Sequence, residues 1–268
     1  MNGMETKKTF KILFGGDIVG APGRGAAARA ATRFKQSGKA DFVILNAENA
    51  AGGRGINARI AEELFAAGAD VLTMGDHVWD QRDSYPLFDR EPRLVRPLNL
   101  APGCPGHGAA TVETAIGPVT VVQLLGRTFM AATADCPFRA MDAWLAQPRR
   151  PGAVLVDIHA EATSEKIALR HFLDGRVAGL FGTHTHVPTA DECVTAKGTA
   201  YITDLGMTGA HDSVIGRTVE PIVDRFRTGM PAKFEVATGD VRFNGVLVTL
   251  DAATRRALRI QRICEKEE

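Results

Sequence analysis

The sequence predicts an α/β fold, with one mixed β-sheet or a pair of sheets, in a single domain of residues 1–268. Short apolar runs rich in β-branched residues alternate with helical patterns, which is the rhythm of parallel strands joined by right-handed crossovers. Between residues 94 and 125, strand-like runs follow one another across Gly/Pro turns, which indicates antiparallel pairing. The 268 residues, 45% of them hydrophobic, are sufficient for one sizeable core.

The individual elements are predicted from the apolar runs and from the turns that interrupt them. Residues 1–10 are short and polar, and we expect them to form a flexible N-terminal extension. In chain order we predict strands at 11–14, 41–45, 70–74, 119–125, 153–158, 177–181, 201–203 and 241–250. We predict helices at 26–34, 58–67 and 164–173. The first of these helices is rich in alanine and arginine, which are strong helix formers.

Composition narrows the class of protein. Lys+Arg 32 against Asp+Glu 31 gives a formal net charge of +1, so the chain does not resemble a protein that coats long nucleic acids, and we expect any nucleotide substrate to be small. The 4 cysteines show no C-x-x-C spacing, which is typical of free thiols in a reducing compartment. No apolar run reaches the roughly 20 residues of a membrane span, and the N-terminus lacks a signal-peptide pattern. These features predict a cytoplasmic protein.

Possible metal ligands follow the predicted strands of the alternating segments. They are Asp17, Glu48, Asn49, Asp76, His159, His184 and His186, with His77 directly after Asp76. Because sites in open α/β sheets lie outside the carboxyl ends of the strands, we expect these side chains to meet in one crevice. Carboxylates and imidazoles without thiolates suit Mn²⁺, Fe²⁺ or Zn²⁺.

Each of these residues also has an ordinary structural interpretation. Asp17 alone would more often cap a helix, the segment 46–49 could be a turn, and His159 could be a hydrogen-bonded core histidine. The pair His184 and His186 favours metal binding, because alternate residues of an extended segment face the same way. Since all the candidates follow strand ends, the set as a whole favours a metal site.

The order of these residues resembles the calcineurin-like metallophosphoesterases and, more narrowly, their YmdB-like branch. The matching runs are GDIVG at 16–20, NAENA at 46–50, HVWD at 77–80, DCPFR at 135–139, HAEATSEK at 159–166, GTHTH at 182–186 and GMTG at 206–209. The resemblance implies mixed β-sheets sandwiched by helices, with the active site at the C-terminal ends of the strands. Members of the branch are described as 2′,3′-cyclic-nucleotide phosphodiesterases.

Carried over position by position, the resemblance implies a site with two divalent metal ions, iron or manganese first and zinc as an alternative. Asp17, Glu48, Asn49 and His186 would bind one metal, and Glu48, Asp76, His159 and His184 would bind the other. Glu48 would bridge the two. A hydroxide between the metals would attack phosphorus, while His77 would protonate the leaving group as the general acid. Thr208 would contribute to substrate binding.

One residue departs from the branch. The branch normally reads Gly-Asn-His where this chain reads Gly75-Asp76-His77. An aspartate binds a metal as well as an asparagine does, but it lowers the net charge of the centre by one. We therefore expect Asp76 to favour singly charged diesters over phosphate dianions, or to slow the reaction.

Other polar and aromatic residues are assigned structural or solvent-exposed roles. We interpret His107, His171 and His211 as non-ligands, and Trp79 as a buried side chain. For the cations Arg127, Arg139 and Lys166, a structural or solvated role is favoured over phosphate contact.

Three other functions compete with a phosphodiesterase. A phosphomonoesterase or protein phosphatase would use the same dinuclear centre, and a regulatory scaffold would use the metals for structure alone. A zinc amidohydrolase is disfavoured, because its His-x-His pair usually opens the chain and here the pair comes late. The expected partner is a small phosphodiester or nucleotide, and a homo-oligomer is left open.

Overall fold

The computed structural model describes residues 8–148 and 152–267. Within these residues the strands are β1 (Thr9–Gly15), β2 (Asp17–Ile18), β3 (Phe42–Asn46), β4 (Val71–Thr73), β5 (Leu94–Val95), β6 (Ala109–Thr114), β7 (Gly117–Leu125), β8 (Ala153–His159), β9 (Gly179–Thr183), β10 (Cys193–Val194), β11 (Ala200–Ile202), β12 (Met207–Ala210), β13 (Val241–Asp251) and β14 (Ala257–Lys266). The helices are α1 (Gly20–Gln36), α2 (Ala58–Ala66), α3 (Tyr85–Arg90), α4 (Pro137–Leu145), α5 (Thr163–Leu173) and α6 (Val219–Thr228).

The strands form two mixed sheets. The first has the order β2-β12-β13-β1-β3-β4-β5, with β14 beside β13, and its β1, β3, β4 and β5 are parallel. The second has the order β10-β11-β9-β8-β7-β6, and only its edge strands β6 and β10 run antiparallel to their neighbours among the described residues. The antiparallel pairing expected between residues 94 and 125 is therefore confirmed for β6 and β7, whereas β5 pairs in parallel with β4.

The two sheets face each other across a shared apolar core. Because side chains alternate along a strand, Ile12 and Phe14 of β1 point to the second sheet, while Leu13 points to the helices on the other face. The ring centroids of Phe14 and Phe181 lie 5.1 Å apart across the interface. Helices α1 and α2 cover the first sheet, and α4 and α5 cover the second.

The layering places the carboxyl ends of the parallel strands from both sheets side by side. Asp157 of β8 accepts a hydrogen bond from the Thr73 hydroxyl of β4 at 2.6 Å and from the Asn46 amide of β3 at 3.0 Å. These buried contacts join the two sheets at the edge where the predicted ligands lie.

The first strand begins earlier in the chain than the sequence predicts. Strand β1 begins at Thr9, and the buried Phe10 pairs with Leu250, so the expected extension is wrong for these two positions. Of the rest of that extension, Lys8 is exposed and its carbonyl accepts from the Ala252 N–H at 3.0 Å, and residues 1–7 lie outside the described residues. In the part of the chain that the structure describes, no helix is both long enough and apolar enough to cross a membrane.

Candidate metal centre

Four side chains from the ends of four strands converge on one point. Glu48 follows β3, Asp76 follows β4, His159 ends β8 and His184 follows β9, and one ligand atom from each lies within 4.8 Å of the others. The His159 Nε2 atom lies 3.1 Å from Glu48 Oε1, 3.1 Å from Asp76 Oδ1 and 3.0 Å from His184 Nδ1. A single ring nitrogen cannot satisfy three polar neighbours by itself, whereas a cation among them would.

A second group of predicted ligands lies beside this cluster. Asp17 is fully buried, and its Oδ1 has no hydrogen-bond partner among residues 8–148 and 152–267. Its Oδ2 accepts a hydrogen bond from the backbone N–H of His184 at 3.1 Å. Burial raises the pKa of Asp17, and the nearby His186 and His159 imidazoles offset this only in part. His159 Nδ1 lies 3.7 Å from this Oδ1, beyond hydrogen-bond distance. A buried carboxylate oxygen without a hydrogen bond, next to four convergent ligands, fits a metal ion.

Hydrogen bonds to backbone carbonyls outside the cluster orient the side chains of Asn49 and His186 toward each other. The His186 Nδ1 donates to the Ile215 carbonyl at 3.0 Å, and the Asn49 Nδ2 donates to the Gly53 carbonyl at 3.2 Å. Arg217 donates to the same Gly53 carbonyl at 2.7 Å. As a result, His186 Nε2 and Asn49 Oδ1 face each other at 3.1 Å. When the ring is neutral, both are acceptors, and a cation between them is the arrangement that suits both.

A buried hydrogen-bond chain fixes the tautomer of His159. The Thr183 hydroxyl donates to Asp157 Oδ1 at 2.8 Å, so it accepts from His159 Nδ1 at 2.9 Å. This leaves His159 Nε2 free to bind a metal, as is usual when a carboxylate lies behind a ligating histidine. Burial raises the pKa of Asp157 to about 6, even though Thr73, Asn46 and Thr183 donate to it.

The electrostatics of the cluster favour positive charge at its centre. Burial alone would lower the pKa of His159, but the Glu48 and Asp76 carboxylates raise it well above its ordinary value. Burial alone would raise the pKa of Glu48 and of Asp76, but His159 lowers the pKa of both carboxyls. The hydrogen bond from His184 lowers the pKa of Asp76 further. A proton on His159 thus occupies the place where a metal would neutralise the same carboxylates.

The backbone around the cluster includes a glycine that the close packing of the ligands requires and two histidines with positive φ angles. A Cβ on Gly75 would overlap the side chains of Glu48 and His159, so only glycine permits their approach. His184 and His186 have positive φ angles of 99° and 66°. Such conformations are costly for residues other than glycine and concentrate at functional sites.

His77 lies at the rim of the same cluster. Its Nδ1 is 3.1 Å from Asp80 Oδ2, and its backbone N–H donates to Glu48 Oε2 at 3.3 Å. The imidazole lines a cleft of about 960 Å³ that also includes Glu48, His184 and His186. The rest of the cleft includes basic and apolar side chains, notably Arg54, Arg217, Arg225, Ile215, Ile222, Phe226 and Phe234.

The structure corrects the expected role of one residue. Thr208 is fully buried in β12, its hydroxyl is hydrogen-bonded to the backbone of Asn244, and it does not line the cleft. Its carbonyl is used as well, since it accepts from the N–H of Val19. Thr208 was therefore wrongly predicted to bind substrate, because the Gly-Met-Thr-Gly run looked like a loop and is a buried strand.

The remaining polar candidates behave as structural residues. Lys166 is buried and donates from Nζ to the Thr183 carbonyl and to Asp204, each at 2.8 Å, so its structural interpretation is confirmed. Trp79 is partly buried against Tyr85 and Phe88. Among the described residues, the ligand cluster includes none of His107, His171 and His211.

Several residues that shape the site were not predicted from the sequence. Asp157 had a usable signal, because it lies two residues before His159 in an apolar strand and so faces the same way. Ile215, Arg217 and Phe234 gave no such signal, since they are distant in sequence from the groups beside which they lie. Ile215 contacts His186, Arg217 contacts Gly53, and Phe234 lines the cleft.

Comparison with known proteins agrees with this geometry. The family described as YmdB-like protein matches residues 13–263. The chain is 44% identical to a Bacillus subtilis (strain 168) protein named 2′,3′-cyclic-nucleotide 2′-phosphodiesterase, over 95% of this chain and 96% of that protein.

Two solved structures superpose on nearly the whole chain. One is a hypothetical protein from Thermus thermophilus with a TM-score of 0.91 and 41% identity, covering 97% of this chain and 100% of that one. The other is titled a novel phosphatase, from Mycoplasma pneumoniae, with a TM-score of 0.91 and 36% identity, covering 97% and 94%. The expected metallophosphoesterase fold is thereby confirmed. The chain belongs to the YmdB-like family.

Proposed function

We propose that this chain is a dinuclear-metal phosphodiesterase that hydrolyses small phosphodiesters, with 2′,3′-cyclic nucleotides as its substrate class. The observation that carries the proposal is the convergence of Glu48, Asp76, His159 and His184 within 4.8 Å, beside a buried oxygen of Asp17 that has no hydrogen bond among the described residues. The name of the Bacillus subtilis relative supports the substrate class. The cytoplasmic location, the single domain and any homo-oligomer stay predictions.

The residues fit two metal ions in the arrangement that the family resemblance implies. Asp17, Asn49 and His186 would bind one ion, Asp76, His159 and His184 the other, and Glu48 would bridge them. With only oxygen and imidazole ligands, iron or manganese is favoured, with zinc as an alternative. When bound, the metals would lower the pKa of water and neutralise the charge on the phosphoryl oxygens.

The protein itself would supply the proton for the leaving group. His77 lies at the rim of the cluster, and when its ring is protonated, Asp80 accepts from Nδ1 and the Nε2 proton is the one available to the departing alkoxide. The guanidinium of Arg54 lines the same cleft and contributes positive charge for an anionic substrate. The orienting contacts of His159, Asn49 and His186 would keep the ligands in place without rearrangement.

A variant of the bridging residue tests the proposal. We expect Glu48→Gln to lose metal and to lower the turnover of 2′,3′-cyclic AMP by at least about 100-fold, because a metal ligand is removed. Glu62→Gln, a change on the exposed surface of α2, should leave both unchanged. The metal content is measured on the purified proteins and turnover is measured on a panel of cyclic diester, linear diester and monoester. A faster reaction with the monoester would identify a phosphatase, and wild-type protein without turnover of any ester would contradict the proposal.

A further inference from the structure

One part of the cleft is lined by apolar side chains, which metal binding does not require. Ile222, Phe226 and Phe234, here called the aromatic wall, line the same cleft as Glu48 and His184. Phe226 is 85% exposed, although large apolar side chains usually find cover. The volume of about 960 Å³ is at the upper end of the range for pockets that enclose whole organic ligands, about 300–1,000 Å³. The cleft is therefore larger than a phosphoryl group needs.

The aromatic wall is built on an anchored segment. Ile222 and Phe226 are four residues apart on α6, so they share one face of the helix. The helix ends at Thr228, and the C-cap residue Gly229 has a φ of 71° that allows the chain to turn back. The returning segment is fixed by a hydrogen bond from the Thr218 N–H to the Glu235 carbonyl at 3.0 Å.

The second aromatic ring is also fixed and lies next to a cation. The Arg225 guanidinium lies 5.2 Å from the centroid of the Phe234 ring, which is the range of a cation–π contact. The rings and the guanidinium all line the cleft. Flat π-faces beside a planar cation are the surfaces on which nucleobases stack, and such stacking tolerates every base because each has a π-face.

We propose that the aromatic wall is a nucleobase subsite, in which Phe226 and Phe234 bind the base while the metal centre binds the phosphodiester. The inference rests on the proposed function and deepens it. It makes the enzyme selective for nucleotides over phosphodiesters without a base, and it leaves the identity of the base open. The chemistry on the wall is stacking rather than hydrogen bonding, so every nucleobase should be accepted, because each has a π-face.

The test compares two substrates that differ only in the base. One is 2′,3′-cyclic AMP, and the other is methyl riboside 2′,3′-cyclic phosphate, in which a methoxy group replaces adenine. Phe226→Ala and Phe234→Ala should lower kcat/KM for cyclic AMP about tenfold, because stacking on one ring is lost, and should leave the methyl riboside within about twofold. The control Phe129→Ala removes a ring that is 87% exposed and lies outside the cleft, and it should change neither.

Each outcome separates this inference from the proposed function. Equal losses on both substrates, or no loss on either, would overturn the nucleobase subsite and leave the phosphodiesterase intact. Wild-type enzyme that hydrolyses neither substrate would contradict the proposed function itself. Sedimentation velocity on the same variants tests the rival occupant. A change of oligomeric state in Phe226→Ala with unchanged selectivity would assign the wall to a second copy of the chain and overturn the proposal.

Discussion

At the scale of single residues, the centre depends on which atom of each ligand faces inward. His159 is oriented by Thr183 and Asp157, and His186 by the carbonyl of Ile215. None of these three partners is a predicted ligand, yet each leaves a histidine Nε2 free for a metal. Side chains behind the ligands are therefore expected to matter for metal affinity nearly as much as the ligands themselves.

The hydroxyl of Thr183 gives the first prediction. We expect Thr183→Val to weaken Mn²⁺ binding about 10- to 100-fold, because His159 Nδ1 loses its acceptor and the tautomer is no longer fixed. Isothermal titration of metal-free protein measures this. The matched control is Thr120→Val, which removes a buried hydroxyl from β7 whose partner is Thr111, not a ligand. Equal affinities in the two variants would show that the hydroxyl does not position His159.

Asp76 gives the second prediction. Its Oδ1 lies 3.1 Å from His159 Nε2 and 3.5 Å from His184 Nδ1, so its charge is at the centre. We expect Asp76→Asn to weaken metal binding and to raise the rate with monoesters relative to diesters, because a more positive centre attracts a dianion more strongly. Parallel kinetics on both ester classes, with metal affinity measured by titration, test this. An unchanged ratio of rates together with unchanged affinity would contradict it.

At the scale of elements, a buried ion pair joins α5 to the loop after β11 and to the end of β9. Lys166 and Asp204 are each about 1% exposed, and Lys166 also donates to the Thr183 carbonyl. Asp204 in turn accepts from the Thr185 N–H at 3.2 Å. The pair therefore supports the Gly-Thr-His-Thr-His run, in which two histidines adopt positive φ.

Removing the cation of this pair gives the third prediction. We expect Lys166→Met to destabilise the metal-free protein by about 3–5 kcal/mol, because the Asp204 charge stays buried without its partner. Arg176→Met breaks the exposed pair with Asp142, which spans 2.6 Å, and should cost less than about 1 kcal/mol. Urea denaturation of both variants gives the comparison. Similar small losses would show that the buried pair does not stabilise this part of the fold.

At the scale of the whole molecule, the candidate metal centre belongs to neither sheet alone. Glu48 and Asp76 follow strands of the first sheet, whereas His159 and His184 come from strands of the second. Metals should therefore bind only when the two sheets are packed together, and binding should stabilise that packing.

The sequence could predict the features that local patterns encode, and it could not predict those that depend on contacts between distant segments. The convergence of the strand-end side chains could be predicted, because parallel strands present their carboxyl ends at one edge and each strand is visible as an apolar run. Their role as metal ligands stays a prediction. Strand β14, with its exposed alternating face, and helix α6 were not predicted. The contacts of Arg217 with Gly53 and of Ile215 with His186 join residues more than 25 positions apart, and no local pattern encodes them. The predicted role of Thr208 in substrate binding was wrong for the opposite reason. A local motif suggested a loop, whereas tertiary packing buries the residue.

The most direct test of the dinuclear metal centre is to titrate metal-free protein with metal and to measure its activity. Metal-free protein is mixed with increasing Mn²⁺, and the hydrolysis of 2′,3′-cyclic AMP is followed at each ratio. We expect no turnover without metal and a rate that rises to a plateau at two metal ions per chain. A plateau at one ion per chain, or turnover that is independent of metal, would contradict the dinuclear centre.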